Sequence, residues 1–152
     1  MKGKIVASFL LGFGLFLATL SIAWAGELPP PGSKPLSALL KSLEGQELGV
    51  FTSTEFDDGW WEVKVCNAGA CQKLYIDPRS AEEKRRRNAD PEDELPPANA
   101  KPLSAIVQSI EDRGLGAIRE IEFDEGFWEV ELRRDGRNIK LYVDPRTGET
   151  RR

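Results

Sequence analysis

The stretch EIEFDEGFWEVELRRDGRNIKLYVDP, residues 120–145, decides the fold. Ile121 and Phe123 alternate with Glu120, Glu122 and Asp124, which predicts a strand with one buried face. Asp124-Glu125-Gly126 is turn chemistry, its glycine suited to a positive φ. Trp128, Val130 and Leu132 then alternate with Glu129 and Glu131. Asp135-Gly136 makes a second turn, and Ile139, Leu141 and Val143 alternate with Lys140 and Tyr142. Asp144-Pro145 stops the last strand, because proline cannot donate to a ladder. The product is a three-stranded antiparallel meander.

Upstream, Leu103, Ile106, Val107 and Ile110 fall on one helical stripe. Pro102 suits the first turn, and Gly114 suits the left-handed position beyond the end. The order is α-β-β-β, one helix covering the apolar face of the meander.

The same pattern stands earlier in the chain at a constant offset of 67, Glu27 to Arg85 aligning without a gap on Glu94 to Arg152. Both copies carry Glu-Leu-Pro-Pro, Lys-Pro-Leu-Ser-Ala, Glu-Phe-Asp, Trp-Glu-Val, Lys-Leu-Tyr and Asp-Pro-Arg. One structural unit is used twice. In the first copy, Leu36, Leu39, Leu40 and Leu43 line the helix, and Phe56, Trp61, Val63, Val65, Leu74 and Ile76 face the core. The fold class expected is therefore α+β: two tandem α-β-β-β modules, each one helix packed on a three-stranded antiparallel sheet. Units this small gain by packing on each other or by extending one sheet into the next. Between them, residues 80–93 hold Glu-Glu-Lys-Arg-Arg-Arg and Asp-Pro-Glu-Asp, a composition that predicts a solvated linker, with a docking or cleavage site at Arg85-Arg86-Arg87 as the rival reading. The resulting boundaries are 26–79 and 94–152 for the modules.

Residues 1–25 read as a secretory signal, with Lys2 and Lys4 ahead of an uncharged run from Ile5 to Ile22. Ala23-Trp24-Ala25 supplies the small residues that signal peptidase needs. Cleavage after Ala25 would leave a periplasmic or secreted protein; an uncleaved anchor is the rival reading. Without Lys2 and Lys4 the 21 basic side chains become 19 against 25 acidic ones, a net of −6. A mildly acidic chain with no basic stripe is a poor partner for nucleic acid or an anionic membrane.

The chain has no histidine. That excludes Ser-His-Asp and Cys-His catalysis, histidine-held metal and c-type haem attachment. Carboxylate chemistry is left, but the acids sit on exposed strand faces and in turns with no sign of a cleft. No enzyme activity and no cofactor are expected. Cys66 and Cys71 are the two cysteines, and in an oxidising compartment they form a disulfide. Strand parity sends both sulfurs away from the core and sets Cys66 opposite Cys71, within bridging distance. The second copy has Arg133 and Asn138 there, so the bridge is a local staple.

Two sets of side chains are candidate sites. Trp60, Tyr75, Phe127 and Tyr142 share the face of the sheet opposite the helix, where aromatic and acidic groups suit partner recognition or simple cross-strand packing. Asp57, Asp58, Asp124 and Glu125 could offer oxygen ligands to a hard cation, although hairpin-turn chemistry accounts for them as well.

Each copy resembles the PepSY domain, in the helix entered through Lys-Pro-Leu-Ser, in EFDEGFWEV (residues 122–130), and in the closing LYVDPRTGE (residues 141–149). The first copy departs from it with Ala68-Gly69 in place of Asp-Gly and Ser80-Ala81 in place of Thr147-Gly148. The resemblance implies a helix on a small antiparallel sheet, without catalytic residues. It implies an exported binding, regulatory or inhibitory module whose protein partner is a peptidase or an envelope sensor. A divalent-cation or small-ligand sensor using the acidic turns is the alternative.

Overall fold

The structure is a computed structural model that describes residues 27–151; the leader expected at 1–25 lies outside them. The elements are α1 (Leu36–Glu44), β1 (Val50–Asp57), β2 (Trp60–Asn67), β3 (Ala70–Ile76) and β4 (Glu83–Ala89). They recur as α2 (Leu103–Asp112), β5 (Ala117–Asp124), β6 (Phe127–Arg134), β7 (Arg137–Val143) and β8 (Thr150–Arg151). Each start in the second series stands 67 residues after its counterpart.

Of the two ways expected for the units to meet, the sheet extends from one into the next, and each half carries a fourth strand beyond the three expected. All the described strands join one antiparallel sheet in the order β4-β3-β2-β1-β5-β6-β7-β8. The junction is β1 against β5, where Thr54 faces Ile121, flanked by Ser53 facing Glu122 and Glu55 facing Glu120. Thr54 and Ile121 are equivalent positions in the two halves, so a pseudo-two-fold axis passes between them. Joining there removes two sheet edges and merges two small cores into one, which a unit of this size needs. A single buried cluster runs from Leu36 and Leu40 through Val63 and Leu74 to Val107, Val130 and Val143. Both helices lie on that face.

The helices also tie the halves together. Pro35 and Pro102 occupy the N-cap positions and supply no side-chain cap. The last-turn glutamate of the opposite helix does so instead. Glu111 accepts the Leu36 N–H at 2.8 Å and the Ser37 hydroxyl, and Glu44 accepts the Ser104 N–H at 3.0 Å and the Ser104 hydroxyl. A carboxylate at a helix N-terminus satisfies orphan donors and meets the positive end of the dipole.

The expectation of a solvated linker needs correction. Glu83–Ala89 pairs with β3 from Ile76 to Cys71. Its side chains are exposed, as the charge pattern implies, but its backbone is a sheet strand. After β4 the chain crosses the helix-free face, and Pro91, Glu92 and Leu95 line the space beside the disulfide. Cys66 and Cys71 therefore face away from the helices yet are buried. They are bonded, at a Cα–Cα distance of 4.0 Å across the β2–β3 pair.

The repeated motifs mostly serve this frame. Lys34 donates its N–H to the Pro78 carbonyl and its Nζ to the Ser80 carbonyl, both at 2.8 Å. Lys101 repeats this on Pro145 and Thr147. Asp77 accepts the Arg79 and Ser80 N–H groups, and Asp144 those of Arg146 and Thr147. Lys-Pro-Leu-Ser and Asp-Pro-Arg are thus two sides of one clasp. Phe56 packs edge-to-face on Trp61 at 5.3 Å, and Phe123 on Trp128 at 5.2 Å. Gly49 and Gly116 admit no side chain: a Cβ would collide with the Cys66 carbonyl oxygen or stand 2.8 Å from that of Arg133.

Candidate functional site

The helix-free face of the sheet is the broadest surface carrying chemistry. Bulges between Phe51 and Ser53 and between Ile118 and Glu120 reset the parity of β1 and β5. Their polar residues thereby line up with those of the outer strands. One row reads Arg85, Tyr75, Glu62, Glu55, Glu120, Glu131, Lys140 across seven strands. The next passes Arg87, Lys73, Lys64, Ser53, Glu122, Glu129 and Tyr142. The face is acidic at its centre and basic towards its edges.

Like charges directly opposite one another disfavour a sheet unless they are compensated. Here Lys73 meets Glu62 and Lys64 meets Glu92, each at 2.6 Å, while Lys140 meets Glu129. Arg119 reaches Glu120 at 3.1 Å, Glu131 at 3.2 Å and Glu55 at 3.7 Å. The neutralisation is incomplete. Burial, and next the nearby Glu55, raise the Glu120 carboxyl above the ordinary range. Burial and then Glu92 do the same at Glu122. The Lys73 ammonium is held above its usual value first by its hydrogen bond to Glu62. A polar depression of about 460 Å³ opens between Glu55, Glu62, Lys73, Tyr75 and Arg87 and reaches Glu120 and Glu122 across the axis.

Trp60, Tyr75, Phe127 and Tyr142 do lie on this face, half-buried except Tyr142, which is 40% exposed. They form two sets, Trp60 with Tyr75 on β2 and β3 and Phe127 with Tyr142 on β6 and β7, on either side of the acidic centre. The Arg85 guanidinium stacks on Tyr75 at 3.8 Å from the ring centre, Arg87 stands at 5.9 Å, and Arg151 lies 5.0 Å over Phe127. The sequence offers the Arg85-Arg86-Arg87 run as a docking or cleavage site beside the solvated-linker reading, without tying it to the aromatics, and it does not mark Arg151.

The acidic turns stay apart. Asp58 and Gly59 take φ of 47° and 82°, Glu125 and Gly126 the same values, and Ala68-Gly69 matches them without an aspartate. These are the primed hairpin turns that suit strand twist. Because β1 and β5 run antiparallel, Asp57 and Asp58 lie at the opposite end of the sheet from Asp124 and Glu125. Among the described residues no group of three or more metal-binding side chains comes together.

Two matched grooves flank the helix starts. One, of about 520 Å³, is lined by Pro29, Lys34, Trp61 and Glu111; the other, of about 350 Å³, by Pro96, Lys101, Trp128 and Glu44. The larger exceeds the outer-face depression in volume, but its lysine and glutamate are spent on the clasp and the helix caps.

Residues 88–151 match the family described as "Peptidase propeptide and YPEB domain". The second half of the chain is thus similar to a PepSY-type domain. No curated protein matches. Among solved structures, a protein of Clostridium difficile 630 described as a candidate lipoprotein aligns at 12% identity. The alignment covers 84% of this chain and 96% of that one, at a TM-score of 0.48.

Proposed function

We propose that this chain is an exported, non-catalytic module that binds a protein partner on the helix-free face of its sheet and regulates it. One observation carries the reading. Once the repeated motifs have been assigned to clasp, cap, core and cross-strand ion pairs, Tyr75 and Tyr142 remain in both halves on a face that, among the described residues, only the Pro91–Leu95 crossover partly covers. Tyrosine beside charged groups on an open sheet suits a recognition surface. The leader at 1–25 and the Cys66–Cys71 bridge support export. The family description of residues 88–151 makes a secreted peptidase the first partner to try, with an envelope sensor second.

A photo-crosslinking amino acid placed at Tyr142 or Tyr75 tests this against one placed at Lys41, an exposed position on α1. The two face positions should trap a common partner in envelope extracts and Lys41 should not. Equal trapping at Lys41, or none at either tyrosine, overturns the proposal.

A further inference from the structure

The edge strand β4 holds cationic groups that the fold leaves unspent. Among the described residues it is hydrogen-bonded on one side only, to β3, so its other side presents unpaired N–H and C=O groups over seven residues without a proline. Lys84 is paired with Glu82 at 2.5 Å and Arg86 with Glu83 at 2.6 Å. Arg85 and Arg87 make no ion pair among the described residues, and both point to the helix-free face beside Tyr75 and Lys73. A guanidinium stacked on a tyrosine ring keeps its planar fork of donors free and fixed in direction, a prepared receptor for carboxylate.

We infer that β4 is the docking edge for an extended acidic segment of a partner protein, which adds to the sheet as one more antiparallel strand. Main-chain bonds to β4 supply the pairing, and carboxylates at alternate positions meet Arg85 and Arg87. A second copy of this chain is a poor occupant, because the opposite edge also ends in exposed basic side chains, Arg137 and Arg151. The inference rests on the partner-binding proposal and names the chemistry of the partner.

The test is fluorescence anisotropy of the full mature chain with a short labelled peptide of alternating valine and glutamate. Controls are a valine-lysine peptide and two glutamate peptides N-methylated on one or the other alternate set of residues. The glutamate peptide should bind, the lysine peptide should not, and one methylated form should fail because its bonding edge is blocked. Arg85→Glu together with Arg87→Glu, both exposed, should weaken binding by about a hundredfold, roughly tenfold for each charge-assisted contact. The inference falls if both methylated peptides bind like the parent, if the double variant binds like wild type, or if no peptide binds. It falls equally if anionic phosphatidylglycerol vesicles bind through these arginines while the peptide does not. Loss of peptide binding with crosslinking at Tyr142 intact would remove the edge alone; the reverse pattern would remove the face alone.

Discussion

The two halves keep the same frame and differ where only one of them has a use for the difference. Both have the clasp, the paired Phe and Trp, the glycine under the neighbouring carbonyl and the glutamate that caps the other helix. The first half alone has a disulfide and, at the axis, a threonine where the second has Ile121. What is shared builds the core and the junction. What differs lies on the outer face and on the axis, where a pseudo-symmetric pair can diverge without losing the fold.

The largest effect tests whether the halves are one core. Trp61 and Trp128 are 2% and 1% exposed. Trp61→Ala and Trp128→Ala should each cost about 3–5 kcal/mol. Either variant should still unfold in urea as a single transition, with circular dichroism and fluorescence coincident. Two transitions, one near the wild-type midpoint, would mean that the halves fold independently.

That outcome bears on what could be read from the residues alone. Alternation placed Trp61, Val63, Val65, Trp128, Val130 and Val143 in the core, and they are there, because period two against one apolar face leaves a strand no other register. The same parity set Cys66 opposite Cys71. β4 escaped notice because every side chain from Glu83 to Asn88 is exposed, so its strand character comes from the backbone of β3 and leaves no pattern in the sequence. The shared sheet was open for a related reason. The junction spans only Ser53 to Glu55 against Glu120 to Glu122, and the bulges at Phe51 and Ile118 break the alternation that would have shown it. Of the outer face, the aromatics and the Arg85-Arg86-Arg87 run were legible, but not that β4 stacks Arg85 on Tyr75, because that contact depends on a strand the pattern does not show.

The disulfide is the next difference. Cys66→Ala with Cys71→Ala should cost about 2 kcal/mol, the loop-entropy value for so short a ring. Arg133 and Asn138 face each other in the equivalent register. Arg133→Cys with Asn138→Cys should therefore bridge under oxidising conditions and raise the urea midpoint, by at most a similar amount. A second bridge that forms but leaves the midpoint unchanged would show that the staple matters only beneath the Pro91–Leu95 crossover.

Across the axis the difference is a buried hydroxyl in place of an ethyl group. Thr54 is fully buried and its Oγ1 has no partner among the described residues, while its counterpart is apolar. Thr54→Val keeps the shape and removes an unpaired polar group, so it should stabilise by about 1 kcal/mol. A loss instead would point to a hydrogen bond that the hydroxyl makes in solution.

The smallest effect is read through pH. Glu120 and Ser53 are equivalent positions, one acidic and one neutral, flanking the axis on the outer face. The Glu120 carboxyl stands above its ordinary value chiefly because burial disfavours the charge, and then because Glu55 is near. Well below about pH 4 this carboxyl is protonated in folded and unfolded chains alike. As pH rises, the unfolded chain ionises first, so the folded state loses stability until its own carboxyl has ionised. Glu120→Gln removes that loss and makes the second half resemble the first. The variant should be slightly more stable than wild type at pH 7.5, with the advantage shrinking to nothing as pH falls through the carboxylate range. Asp77 and Asp144, held below their ordinary values by backbone N–H groups, shift the whole curve in the opposite sense. The comparison must therefore be variant against wild type at each pH. Arg119 keeps Glu131 at 3.2 Å and Glu55 at 3.7 Å in the variant, which is why removing one of its carboxylates should not reverse the sign. A variant less stable than wild type at pH 7.5 would mean that the Arg119–Glu120 pair outweighs the burial of the charge.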